Sequence, residues 1–301
     1  MIGLGHESAH EQLALRNRDR LSPRLPNSGW PRELADEHHT RLLEAEVLES
    51  ERRVVAMRAA LAPTDPSGFI RWFVELAEFG PGQGDPLFPW LATEATADQM
   101  RWFLRQEAAA EAGFEDLVAL SQLRLPTRPK LEMARNYWEE MGRGVADEMH
   151  GPMLSRLAGS MNLEELVDTV PIVWEAHALG NIMLGLAANR RYAFHSLGSL
   201  GVVELTAPAR AEYIDRGLAR LGVDDDARHY YALHATIDVE HSAAWNAEVL
   251  TPVIEREPRT ARAIAEGALM RLEAGARCYA RYRRELGLPV DAAAEVAIDP
   301  D

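Results

Sequence analysis

The sequence predicts an all-α fold. Nearly every segment carries apolar residues at helical period, and no segment shows the short alternation of apolar and polar residues that marks a strand. With 301 residues and 47% apolar content, the chain has ample material for a single large core, and no internal repeat or low-complexity tract divides it. Three parts are expected. Residues 1–96 form an N-terminal extension with one long helix and a Gly/Pro-rich loop, packed on a helical bundle formed by residues 97–289, and residues 290–301 form a loose acidic tail.

After a polar, Pro-punctuated lead (SPRLPNSGWPRE), a first helix is expected from about Glu33 to Leu61. The stretch from Pro63 to Pro89 reads as a loop with one short helix around Phe69 to Phe79. Thr96 and Gln99 have the spacing of a capping box, opening a helix that carries Met100, Leu104, Phe114, Leu117 and Val118 and that LPTRPK closes. A helix from about Leu131 to Met149 ends at Gly151 and Pro152. Further helices are expected near Met153 to Leu157, Glu164 to Ala188, Tyr192 to Leu205 and Ala209 to Leu221, with Pro208 and Gly222 as two of the breaks. Long helices from about Asp226 to Ile254 and from Arg259 to Leu286 finish the body.

A formal charge of -15 would repel a polyphosphate backbone, which argues against nucleic-acid and anionic-membrane partners. No apolar run reaches the roughly 18 residues needed to cross a bilayer, and the start MIGLGHESAHEQ lacks a secretory pattern, so a cytoplasmic location is expected. The single cysteine, Cys278, rules out an internal disulfide framework and a cysteine-rich zinc site, and reads as an inert packing residue.

The most informative segment is YYALHATIDVEHSAAW, where His234, Asp238 and His241 stand at i, i+4 and i+7 and point within about 60° of one another. Tyr230, Ile237 and Trp245 flank that stripe, so ligand-type side chains occupy a face that helices normally bury with Leu or Val. A buried Asp is costly unless a cation meets it, and imidazoles with a carboxylate suit non-haem iron. A core histidine pair bonded to an Asp, or a surface stripe, would give the same spacing.

A second segment, NYWEEMGRGVADEMHGPML, puts Glu140 ten residues before His150 with Asp147 between. Glu140 and Asp147 share a helical face, His150 is turned about 60° away, and the three reach one centre only if the helix bends, which Gly142 and Gly144 favour. A solvated acidic face explains the charges but not the histidine. In the third segment, FHSLGSLGVVELTAP, Glu204 ends an apolar, Gly-rich run and either faces inward or sits in water near a helix end. Glu107 and Glu111 interrupt the Met100, Leu104, Phe114 stripe in the same manner. Glu140, His150, Glu204, His234, Asp238 and His241 together make three carboxylates and three imidazoles on three helices, a set suited to two divalent cations.

These blocks resemble the haem-oxygenase-like di-iron oxidases and oxygenases, also described as iron-containing redox enzymes. The likeness rests on Glu140 with His150 in NYWEEMGRGVADEMH, Glu204 in GSLGVVELTAP, and His234, Asp238 and His241 in HATIDVEH, and covers about Ala97 to Glu255. It implies a bundle of about seven core helices holding two iron ions as cofactor, with O2 as co-substrate. It also implies a non-haem di-iron oxidoreductase that N-oxygenates an amine or oxidatively cleaves an amino-acid-like substrate in a natural-product pathway. The family's first-helix Glu would be Glu107 or Glu111, and an extra carboxylate of some members would fall on Asp147. The expected partner is a small-molecule substrate, with a homodimer as an open alternative to a single chain.

The ligands would hold geometry and potential, while Tyr137, Trp138, Tyr230 and Trp245 are candidate pocket walls. His177 and His195 lie outside the ligand pattern and read as structural. One rival is a metal-free hydrolase resembling the thiamin-degrading enzymes, which needs a pocket nucleophile, and Cys278 lies far from the ligand blocks. The other is a non-catalytic helical scaffold, which leaves three aligned histidines without a purpose.

Overall fold

The computed structural model describes residues 5–110 and 113–288, and among them every regular element is helical. The expected acidic tail of residues 290–301 and Glu111 lie outside the described residues. The helices are α1 (His6–Leu21), α2 (Trp30–Ala59), α3 (Pro66–Phe79), α4 (Leu87–Thr93), α5 (Ala97–Ala110), α6 (Phe114–Ser121), α7 (Thr127–Glu140), α8 (His150–Ser160), α9 (Trp174–Ala188), α10 (Ala193–Arg220), α11 (His229–Ala244), α12 (Thr251–Arg256) and α13 (Thr260–Leu286).

Ahead of the polar lead lies a helix that periodicity did not announce. In α1 only Ala9 and Leu13 carry apolar burial, against Leu43 of α2, so its apolar stripe is too narrow to stand out from the surrounding charge. Polar bonds complete its attachment: Asn17 Nδ2 donates to Asn181 Oδ1 at 2.9 Å, and Asn181 Nδ2 donates to the His10 carbonyl at 2.8 Å, both buried. The capping box at α5 forms as the spacing predicts, with the Gln99 backbone N donating to Thr96 Oγ1 and the Thr96 backbone N to Gln99 Oε1.

Three expected helix boundaries are corrected. Pro208 does not break the chain but lies inside the 28 residues of α10, whose burial along both halves outweighs one missing backbone bond. The helix expected from Leu131 to Met149 ends at Glu140. Two short 3-10 turns follow, with Gly142, Arg143 and Gly144 at φ of 60°, 52° and 86°, before α8 starts at His150. The segment from Glu164 to Val173 is not α-helical, because Leu163–Leu166 forms only a 3-10 turn and α9 begins at Trp174. A π-turn at Trp245–Leu250 joins α11 to α12, within the continuous helical run the sequence predicts.

Helix α10 is the spine, packed by α9, α11, α13 and α4. Its approach to α13 depends on two reciprocal glycines. A Cβ on Gly198 would fall 1.9 Å from the Ile264 carbonyl oxygen, and a Cβ on Gly267 would fall 1.9 Å from the His195 carbonyl oxygen. Backbone therefore touches backbone, and Trp245 fills the next gap over Gly201, its indole N–H donating to the Leu197 carbonyl at 3.1 Å. His195 has the structural part expected of it, with Nε2 3.0 Å from Glu266 Oε2 across the same crossing. Because neither backbone can yield cheaply, Gly267→Ala should destabilise the fold by about 1–3 kcal/mol or more, read as a lowered denaturant midpoint. Unchanged stability in that variant would mean that the two backbones are not in direct contact at this crossing.

Candidate metal centre

Four helices deliver the ligand-type side chains to one buried region. Glu140 closes α7, His150 opens α8, Glu204 sits mid-way along α10, and His234, Asp238 and His241 come from one face of α11; all six are buried. The broken connection explains how Glu140 and His150 meet. A continuous helix would have left His150 turned away, whereas the glycine-borne left-handed turns reverse the chain and bring His150 Nδ1 to 2.5 Å from Glu140 Oε2.

Two ligand groups share one carboxylate. Glu140, His150 and His234 offer donor atoms within 4.8 Å of one another, and so do Glu140, Glu204 and His241. Asp238 borders the second group, with Oδ1 3.7 Å from His241 Nδ1. The same nitrogen lies 3.4 Å from Glu204 Oε2 and 3.8 Å from Glu140 Oε1.

Neighbouring groups orient the rings. His234 Nδ1 bonds the Tyr230 carbonyl at 2.6 Å, which places the proton there and leaves Nε2 as a free base. His241 Nε2 lies 2.9 Å from Glu139 Oε2, so its Nδ1 is the atom turned to the carboxylates. Glu139 is itself clasped by Arg135 and Arg143. Asn136, one turn before Glu140, donates through Nδ2 to Glu204 Oε1 at 2.8 Å. Tyr230 packs against both His150 and His234, with ring centroids 5.4 and 4.2 Å away.

The electrostatics fit a cation site. Burial lowers the pKa of His150 to about 4 and that of His234 to about 3, so both rings are neutral bases at neutral pH. Burial, and then the adjacent Glu204 carboxylate, push Glu140 well above the usual carboxylate range. Burial opposes charge on His241 as well, but Glu204, Glu140 and Glu139 outweigh it and raise its pKa to about 9. Without a metal, the His241 proton is the positive charge that holds the carboxylates together.

Not every candidate converges. Asp147 is exposed on a 3-10 turn, its carbonyl bonded by Arg156, so the extra carboxylate is not brought to this centre; the same turns that swing His150 inward carry Asp147 outward. Glu107 lines the adjoining cavity, where it feels Arg210 and Arg271 and is in neither ligand group. Glu115, which the sequence reading passed over, instead acts electrostatically on both Glu140 and His150 from the first turn of α6. Its only signal was a place just after Gly113, which starts a new helix where one long helix was expected. Glu139 and Asn136 were likewise missed, Glu139 because it sat in an acidic cluster that reads as solvated.

A cavity of about 160 Å³ adjoins the centre, lined by Glu140, His150, Glu204, Tyr230, His234 and Asp238 at one side and by Leu104, Phe114, Leu157, Leu179, Met183 and Ile214 elsewhere. Of the four aromatic wall candidates only Tyr230 lines it. Trp138 is 54% exposed, and Trp245 is spent on the α10 crossing. Cys278 does not line this cavity; its thiol donates to the Glu175 carbonyl at 3.1 Å, and burial, with Glu107 nearby, pushes it up to about 12, so it does not supply the nucleophile that a metal-free hydrolase would need.

An all-helical bundle that buries neutral imidazoles against clustered carboxylates is a fold and donor set that could hold metal ions. The chain belongs to the iron-containing redox enzyme family, whose match spans residues 101–276. No curated protein sequence matches it. Among solved structures it is similar to a CADD-like protein of unknown function from Nostoc punctiforme, at 15% identity and a TM-score of 0.52 over 81% of this chain and 99% of that one. A second crystal structure of that protein gives a TM-score of 0.49 at the same identity, over 86% and 100%. The likeness supports the haem-oxygenase-like all-α fold. Among the described residues, no helix is long and apolar enough to cross a membrane.

Protons follow metal. A metal ion that takes His241 Nδ1 must displace the proton held there below about pH 9. Loading at pH 7.5 should therefore release about one proton per chain or more, measured by calorimetry in buffers of different ionisation enthalpy. Loading without proton release would place His241 outside the coordination. Stability of the metal-free chain should fall on both sides of neutrality. The raised His241 contributes stability that is full below about 6.5 and lost as pH rises through about 9. The lowered His150 and His234 contribute stability that is full above 6.5 and lost as pH falls towards about 4 and 3. A melting-temperature profile with no decline on the acid side would contradict the burial of these two rings.

Proposed function

We propose that this chain is a non-haem di-iron oxidoreductase that uses O2 to oxidise a small amine- or amino-acid-like substrate, by N-oxygenation or by oxidative C–H or C–C cleavage. The observation that carries the reading is Glu140, whose carboxylate belongs to both ligand groups and stands between them. His150 and His234 complete one position with Glu140; His241 and Glu204, with Asp238 beside them, complete the other. Neutral nitrogen with carboxylate oxygen is the donor set that iron favours when open positions are needed. When bound, the iron pair would supply the electrons that activate O2.

The protein's own residues do the rest. Tyr230 and Glu139 fix which nitrogen of His234 and of His241 faces the centre, and Asn136 holds one oxygen of Glu204 while leaving the other free. Leu104, Phe114, Leu157, Met183 and Ile214 give the cavity an apolar wall that excludes water from the reacting atoms. A homodimer remains compatible with this reading, and a role in a biosynthetic pathway is part of the proposal.

Anaerobic Fe(II) loading followed by metal analysis tests it. About two irons per chain are expected, with a transient coloured species on exposure to oxygen. Glu140→Ala should lose both irons, whereas His234→Ala should retain about one, because only Glu140 is common to the two groups. A chain that keeps no iron at any loading ratio, or a Glu140→Ala variant that still holds two, would sink the proposal.

A further inference from the structure

The cavity beside the metal centre has a second polar end that the ligand set does not use. Glu107 of α5, Arg210 of α10 and Arg271 of α13 all line it. Both guanidinium groups act electrostatically on the Glu107 carboxyl. Two cations against one carboxylate leave a positive surplus, and burial, which pushes Glu107 above its usual range despite both arginines, enlarges that surplus. Arg210 Nη1 is fully buried with no hydrogen-bond partner, while the Glu107 carboxyl also has Tyr282 beside it. A buried guanidinium N–H left unbonded carries a desolvation cost that an arriving acceptor would relieve.

The chain order places this end apart from the metal ligands. Along α10 the cavity is lined by Glu204, Ala207, Ala211 and Ile214, which recur at three- and four-residue steps on one helical face, with Arg210 at the border of that face. Arg210 lies six positions after Glu204, about 9 Å along the helix axis. Ala207 lies between them on α10, and Leu104, Leu179 and Ala211 add apolar lining to the same cavity. A volume of about 160 Å³ accommodates a body about the size of a benzene ring.

We propose that Arg210 and Arg271 anchor the carboxylate of the substrate at this end, so that its apolar body extends towards the metal ligands and the atom to be oxidised lies away from the acid group. The proposal rests on the oxidative reading of the same site and adds the head group and its binding residues. Glu107 stands beside the anchor, placed to accept from an ammonium group if the acid also carries one. A carboxylate held by the arginines is not at the same time a metal ligand, which fixes the direction in which the substrate enters.

Calorimetric titration of the full chain with hexanoate, hexylamine and hexan-1-ol, after chelation and again after anaerobic Fe(II) loading, tests the anchor. Hexanoate should bind the chelated chain at least about tenfold more tightly than the other two, since a charge-assisted pair carries that much discrimination. Arg210→Gln and Arg271→Gln should each weaken hexanoate about tenfold or more and leave hexanol unchanged, and Arg210→Lys should restore part of the loss. Unchanged hexanol binding shows that the variants are folded. Equal affinity for the three head groups, or hexanoate binding insensitive to both substitutions, overturns the anchor. Hexanoate that binds only the iron-loaded chain, regardless of either arginine, sends the carboxylate to the metal and overturns the anchor while leaving the oxidative reading intact. Arginine-dependent hexanoate binding in a chain that never retains iron supports the anchor and removes the oxidative reading.

Discussion

Three carboxylates, Glu140, Glu204 and Asp238, are buried together in the middle of an apolar helical bundle, and the rest of the structure is arranged around that constraint. Like charges in a medium of low dielectric repel strongly, and each also forfeits its hydration. Only positive charge at the same point makes the arrangement tolerable. In the chain itself protons offset the repulsion, since Glu140 is pushed well above the usual carboxylate range and His241 is raised to about 9; a bound cation would do the same. A cation bound here would therefore exchange with protons.

The surrounding helices serve that exchange by removing alternatives. Tyr230 takes the Nδ1 proton of His234, Glu139 takes Nε2 of His241, and Asn136 takes one oxygen of Glu204, so each ligand presents one defined atom to the centre. The carboxylate that holds His241 is in turn fixed by Arg135 and Arg143 near the surface, so the layers run from solvent to core without an unbalanced charge. Close packing of α10 on α13 through Gly198 and Gly267 holds the spine that carries both Glu204 and Arg210. A bundle with looser crossings would let the two polar ends of the cavity drift relative to one another.

The same logic explains what the cavity lacks. Cys278 is the one thiol, and it is spent on a backbone carbonyl in a region where burial keeps it protonated. His195 is spent on Glu266 at the helix crossing. Cys278 and His195 therefore have structural partners outside the cavity, whereas Glu140, Glu204 and His241 act on one another at its edge. That contrast is the physical ground for reading the cavity as functional.

Much of this was legible in the chain itself. Helical period gave the all-α class, and the spacing of His234, Asp238 and His241 placed three ligand-type groups on one face, because a single helix fixes angles among its own residues. The tertiary structure alone decided how separate helices meet. Whether Glu140 reaches His150 depended on left-handed turns at Gly142, Arg143 and Gly144, and those turns also carried Asp147 out to solvent. Glu107 shared a stripe with core residues, yet packing set it beside Arg210 and Arg271, while Glu115 of the next helix took up the place near Glu140. Sequence fixes direction within an element, where every residue is bound to the same axis. Convergence between elements is settled by loop geometry and close packing, which depend on contacts between residues far apart in the chain.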